Sequence, residues 1–232
     1  MHNLDHAEIS KFKDLASTWW DESGPSRTLH DINPARLAFV RARCDLKGAR
    51  LLDVGCGGGI FSEALAREGA VVTGIDAGAE LIHIASEHAH DGGLAVTYRA
   101  VTAEDYAREH AGRFAIVTCM ELLEHVPDPE RLLAACHALL APGGELFVST
   151  LNRSPSAWLA AVVGAEYVAR LLPRGTHDYA KFIRPAELAR WLRGCGFEVR
   201  EILGMRYNPL TRTATLGGAP RVNYLLHAHR PA

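Results

Sequence analysis

From Arg50 onward, short runs of consecutive apolar residues alternate with longer stretches of helical periodicity. RLLDVG (50–55), AVVTGID (70–76), LAVTYRA (94–100), FAIVTCM (114–120) and GELFVSTL (144–151) read as strands. They are apolar almost throughout, as expected of strands covered on both faces. Ile60 to Glu68, Ala79 to Ala89, Ala103 to His110 and Pro129 to Leu140 read as the helices between them. Asp128 and Pro129 form a cap and first turn, and Pro142-Gly143-Gly144 closes that segment. Strict alternation of strand and helix predicts an α/β protein with a doubly wound, mostly parallel sheet. Two further β-like segments, 196–207 and 221–230, bring the expected total to seven strands, the last two as a hairpin at the sheet edge.

The flanks break this rhythm. Residues 1–48 are expected to form a helical cap, with one helix over Ile9 to Trp20 and another starting at Asn33-Pro34. Residues 49–151 form the core, 152–184 an insertion, and 185–232 a helix (Pro185 to Arg193) followed by the hairpin. All four belong to a single domain. In the insertion, Leu159, Val162, Val163, Tyr167 and Leu171 share one helical face, with Arg170 and Arg174 near its end. Such a face either packs on the core or lies as a lid in a lipid interface.

Composition narrows the function classes. A net charge of −2 gives no basic surface for nucleic acid. The N-terminal MHNLDHAEISKFK lacks the apolar core of a signal peptide, and the longest apolar stretch, 158–172, is too short for a membrane span. Cysteines 44, 56, 119, 136 and 195 are scattered and odd in number, which fits a reducing, cytoplasmic compartment.

Candidate chemistry concentrates at strand ends. LLDVGCGGGIF turns a strand into a helix, and Gly55, Gly57 and Gly59 let a ligand lie against bare backbone. Asp76 ends the next strand, where a carboxylate can accept hydrogen bonds from a ribose diol. A nicotinamide dinucleotide would need a sixth-position glycine, but Ile60 stands there. Asp53 beside the loop disfavours a pyrophosphate and favours a cationic ligand. The D-x-G-x-G-x-G run followed by an acid resembles the class I S-adenosylmethionine-dependent methyltransferases, which have a Rossmann-like fold. That resemblance implies S-adenosylmethionine lying on Gly55 and Gly57, with Asp76 on its ribose. Ala103 and Glu104 would flank the adenine, Met120 would line the pocket, and Asp53 would act on the amino end.

A closer resemblance spans nearly the whole chain. WWD (19–21), LHDINPARL (29–37), VTCMELLEHVPDP (117–129), LFVSTLNR (146–153), 162–188 and NPLTRTATL (208–216) are similar to the ubiquinone biosynthesis O-methyltransferases. The resemblance implies methylation of catechol-type hydroxyls on polyprenylated rings at two points of the pathway. It also implies peripheral contact with the membrane and with other enzymes of that pathway, and it gives Arg36 the methionine carboxylate, which a guanidinium grips through two hydrogen bonds. Another phenolic acceptor, or a silent S-adenosylmethionine-binding subunit, are the competing readings.

The stretch MELLEHVPD (120–128) then becomes the acceptor side. Glu121, Glu124 and His125 stand at i, i+3 and i+4, on one face if the turn is helical. Two carboxylates and an imidazole would suit a divalent ion, magnesium by the resemblance, that lowers the acceptor's pKa. Alternatively His125 is a general base alone, or the acids merely stabilise a helix start.

Overall fold

The computed structural model describes residues 3–157 and 179–232. The apolar face of the insertion, from Leu159 to Leu171 with Arg170 and Arg174, lies outside the described residues. The element order is α1 (His6–Leu15), α2 (Arg27–Arg41), β1 (Arg50–Val54), α3 (Ile60–Arg67), β2 (Val71–Asp76), α4 (Ala79–Asp91), β3 (Thr97–Ala100), α5 (Ala103–His110), β4 (Phe114–Met120), α6 (Pro129–Leu139), β5 (Leu140–Leu151), α7 (Pro155–Ala157), α8 (Pro185–Gly194), β6 (Glu198–Asn208), β7 (Thr213–Leu216) and β8 (Asn223–His229).

The strands form one sheet in the order β3-β2-β1-β4-β5-β8-β6-β7. The first five are parallel, and β8, β6 and β7 join antiparallel. The order reverses between β1 and β4, and in such sheets the ligand crevice opens there, at the carboxyl ends of the strands. Both faces are covered. Leu52, Val117, Leu133, Leu139 and Val148 belong to one core, while Phe39, Leu51, Leu65, Phe147 and Leu225 belong to the other.

Five expectations are corrected. The sheet has eight strands, not seven, because the Pro/Gly/Thr-rich loop contributes β7. The final hairpin is not at the edge, since β8 inserts between β5 and β6 and leaves β7 outermost. The second helix begins at Arg27, with Pro34 inside it. Asn33 does not cap; its amide nitrogen donates to the Ile60 carbonyl at 3.2 Å and ties α2 to α3. The first helix stops at Leu15, followed by a single 3-10 turn, Ala16–Thr18. Strand five also starts earlier than its sequence suggests. Leu140 pairs with Phe114 before an irregularity, beyond which Ile116 faces Glu145.

Helix α2 matters most for function, because it carries Arg36. Phe39, one turn further on, is wholly buried and meets Phe147 edge-on, with ring centroids 5.9 Å apart. Phe39→Ala should therefore cost about 3–5 kcal/mol in urea unfolding and weaken S-adenosylhomocysteine binding through the loosened helix. A loss below about 1 kcal/mol would show that α2 is held elsewhere.

Candidate functional site

One cavity of about 1200 Å³ opens along the carboxyl ends of β1, β2 and β4, and Arg36, Asp53, Gly55, Gly57, Asp76, Ala103, Glu104, Met120, Glu121, Glu124 and His125 all line it. These eleven residues, far apart in the sequence, thus line one space.

The glycine turn has the left-handed backbone its composition suggests, with φ of 70° at Gly55 and 54° at Gly57. A Cβ on Gly57 would sit 2.6 Å from the Trp19 ring, so the loop is also packed from behind. Asp76 is fixed by backbone amides: Gly57 N–H donates at 3.0 Å and Gly78 N–H at 2.7 Å. Burial raises its pKa, against the opposing pull of those N–H groups. Asp53 is buried at the centre of the crevice, where Ser62 donates to it at 2.6 Å and Thr118 at 2.7 Å. Burial pushes its carboxyl up to about 6, in spite of those two hydroxyls and the Arg36 charge.

Arg36 is 4% exposed, and its Nη2 lies 3.3 Å from Glu121 Oε1. Its Nε and Nη2 are buried without a hydrogen-bond partner. Buried guanidinium N–H groups left unmade are expensive, and a bound carboxylate would satisfy them in the fork geometry arginine favours. The cavity thus offers a carboxylate partner at Arg36, a diol acceptor at Asp76 and buried acids beside them. This donor set fits a zwitterionic, ribose-bearing cation.

The stretch after β4 differs from its expected form. Glu121 has a left-handed backbone, with φ of 52°, and the only helical turn is a 3-10 turn over Leu123–His125. The three side chains therefore do not share a face. Glu121 Oε1 accepts from Ser149 Oγ at 2.6 Å and faces Arg36. Glu124 is buried and accepts from Thr150 at 2.8 Å; burial, then the Glu121 charge, raises its pKa. His125 meets Glu8 of α1, Nδ1 to Oε2 at 3.1 Å, and packs its ring edge-on against Phe12. Among the described residues no group of three or more His, Cys, Asp or Glu side chains is placed to hold a metal ion. In this arrangement Glu121, Glu124 and His125 do not converge into one ligand set for a divalent ion such as magnesium.

Some contributors left no trace in local pattern. Glu8 lies 117 positions from His125 in sequence. Burial raises its pKa, but hydrogen bonds from Lys181, Lys11 and His125 outweigh that and hold its carboxyl below the ordinary value. Asn3 donates to Glu104 Oε1 at 2.8 Å and exchanges two hydrogen bonds with the Asp128 backbone. The N-terminal segment thereby closes over the Glu104 end of the cavity. Trp20 supports the glycine turn, its Nε1 donating to the Gly58 carbonyl at 2.9 Å.

The Asp53 shift predicts a pH effect. Its folded pKa lies above the ordinary carboxylate value of 3.8, so its negative charge weakens the fold. That penalty is absent at low pH, grows as pH rises through the interval up to about 6, and is constant above it. Relative to wild type, Asp53→Asn should gain about 3 kcal/mol between pH 3.5 and pH 7.5 in denaturant melts. A pH-independent difference would show that Asp53 carries no such penalty.

Known proteins are similar to this chain in sequence and in fold. The family model described as "Methyltransferase domain" matches residues 27–202. A ubiquinone biosynthesis O-methyltransferase of Pseudomonas aeruginosa (strain LESB58) is 53% identical over 232 residues, all of both chains. One from Thiobacillus denitrificans is 54% identical, again over the whole of both. A solved methyltransferase of Thermotoga maritima, described as a possible histamine N-methyltransferase, superposes with a TM-score of 0.71 at 18% identity, over 96% of this chain and 99% of that one. The magnesium protoporphyrin IX methyltransferase of Synechocystis PCC 6803 with bound S-adenosylmethionine gives 0.65 at 18% identity, over 98% of each. The fold, the donor set of the crevice and full-length identity above one half agree: the chain belongs to the ubiquinone biosynthesis O-methyltransferase family of methyltransferase-domain proteins.

Proposed function

We propose that the protein transfers the methyl group of S-adenosylmethionine to a hydroxyl of a catechol-type ring bearing a polyprenyl tail, at both O-methylation steps of ubiquinone biosynthesis. The observation that carries this reading is the shared cavity. Gly55, Gly57, Asp76 and Arg36 line it together with Glu121, His125 and the apolar Leu151, Met205 and Val222.

The sulfonium supplies an already activated methyl group, so the protein's task is alignment and proton removal. Arg36 would take the methionine carboxylate and Asp76 the ribose hydroxyls, fixing where the methyl group points. A phenol ionises near pH 10, so the acceptor needs help at neutral pH. Glu8 accepts the Nδ1 proton of neutral His125 and sets the tautomer. Proton transfer then uses Nε2, the ring nitrogen that Glu8 does not hold. As the acceptor oxygen bonds to the methyl carbon, the carbon–sulfur bond breaks, the sulfur leaves as a neutral thioether, and the phenolic proton passes to His125. No described helix is long and apolar enough to cross a membrane. A polyprenylated acceptor resides in lipid, so the reading places the enzyme at the cytoplasmic membrane surface as a peripheral protein.

The test is mass spectrometry of purified protein with S-adenosylmethionine and a demethylubiquinol carrying one prenyl unit. A product heavier by one methylene, with S-adenosylhomocysteine released, is expected; no product overturns the proposal. In the same assay His125→Ala should lower kcat about 10²–10⁴-fold while calorimetry finds S-adenosylhomocysteine affinity within about twofold of wild type, because Arg36 and Asp76 are the groups given to the donor.

A further inference from the structure

Strand β8 runs antiparallel to β5, so its first residue lies at the same sheet edge as the last residues of β4 and β5. Asn223 pairs with Leu151 on one side and Met205 on the other. Its side chain enters the cavity beside Glu121. The carboxamide Nδ2 approaches Glu121 Oε1 and Oε2 at 3.4 and 3.5 Å. An ionised carboxylate only accepts, which fixes the amide orientation: NH₂ toward Glu121, oxygen away from it. That oxygen, Oδ1, is buried with no hydrogen-bond partner. The ladder does not need it, because β8 is paired through its backbone on both sides. A buried acceptor left unmade is costly and calls for an occupant.

We infer that Asn223 orients the acceptor ring, with its Oδ1 receiving the hydrogen bond of the hydroxyl that is not methylated. The inference rests on the proposed methylation of a catechol-type ring. Such a ring offers two adjacent O–H donors. When one is directed at the methyl donor and His125, its neighbour is the donor that the Asn223 carboxamide at the start of β8 would receive. Glu121, anchored by Ser149 and Arg36, then serves as the fixed base on which the Asn223 amide is held. Asn223 would act as a specificity-determining residue: it decides which of the two hydroxyls meets the sulfonium.

The test uses 3-prenylcatechol, whose two hydroxyls give separable monomethyl products, with wild type, Asn223→Leu (near-isosteric, apolar) and Asn223→Ser. Calorimetry with S-adenosylhomocysteine is run on each. Wild type should give one dominant regioisomer. Both variants should keep S-adenosylhomocysteine affinity within about twofold, raise KM for the catechol about tenfold, and bring the two regioisomers toward equal amounts. An unchanged regioisomer ratio and KM would overturn the inference. So would loss of S-adenosylhomocysteine binding in both variants, which would assign Asn223 to the donor side or to the fold. Wild type that methylates neither hydroxyl would instead sink the proposed function, and a wild-type mixture of both regioisomers would sink the orienting role alone.

Discussion

A buried guanidinium governs this site. Arg36 sits in the crevice with almost no exposure, next to Glu121 and close enough to Asp53 to oppose in part the rise that burial causes in its pKa. An unpaired buried charge is among the costliest features a fold can carry, and here two acids and one arginine share one low-dielectric space. The protein holds them by over-determining each one. Ser62 and Thr118 fix Asp53, Ser149 fixes Glu121, and Phe39 anchors the helix that carries Arg36. Two Arg36 nitrogens still lack a hydrogen bond. In the proposed function the carboxylate of a zwitterionic methyl donor supplies those bonds.

The rest of the architecture follows from that need for fixed geometry. Donors and acceptors that converge on the cavity come from strand ends, from the glycine turn and from α2, all rigid elements. The 3-10 turn after β4 orients its residues differently from an α-helix. Glu121, in a left-handed conformation, stays beside Arg36, Glu124 turns inward to Thr150, and His125 turns toward Glu8. Strain of that kind at a non-glycine residue is characteristic of functional sites. In the proposed function, donor grip and proton removal fall to separate groups: Arg36 and Asp76 for the one, His125 with Glu8 for the other.

Much of this was legible in the sequence because it is local. The apolar runs gave the parallel strands, Gly55 and Gly57 the left-handed turn, and Asp76 its place at a strand end. What the sequence concealed depends on contacts between distant segments. Glu8 reaches His125 and Asn3 reaches Glu104 only after the N-terminal helix folds over the cavity. Asn223 meets Glu121 only because β8 inserts between β5 and β6. The i, i+3, i+4 spacing of MELLEHVPD implied a shared face only if the backbone were α-helical, and Glu121 breaks that condition at the first residue. Pro34 misled for the opposite reason: α2 tolerates it mid-helix, with Asn33 bonded to Ile60 instead of capping.

Whether Arg36 waits for the ligand's carboxylate is open to direct measurement. Calorimetry would compare S-adenosylhomocysteine with its decarboxylated analogue on wild type and on Arg36→Met. If the two groups pair, removing the carboxylate weakens wild-type binding about a hundredfold and leaves Arg36→Met nearly unaffected, since a charge-assisted pair contributes about 1.5–3 kcal/mol. An equal loss in both proteins would show that the carboxylate binds elsewhere, and the central role given to Arg36 would be wrong.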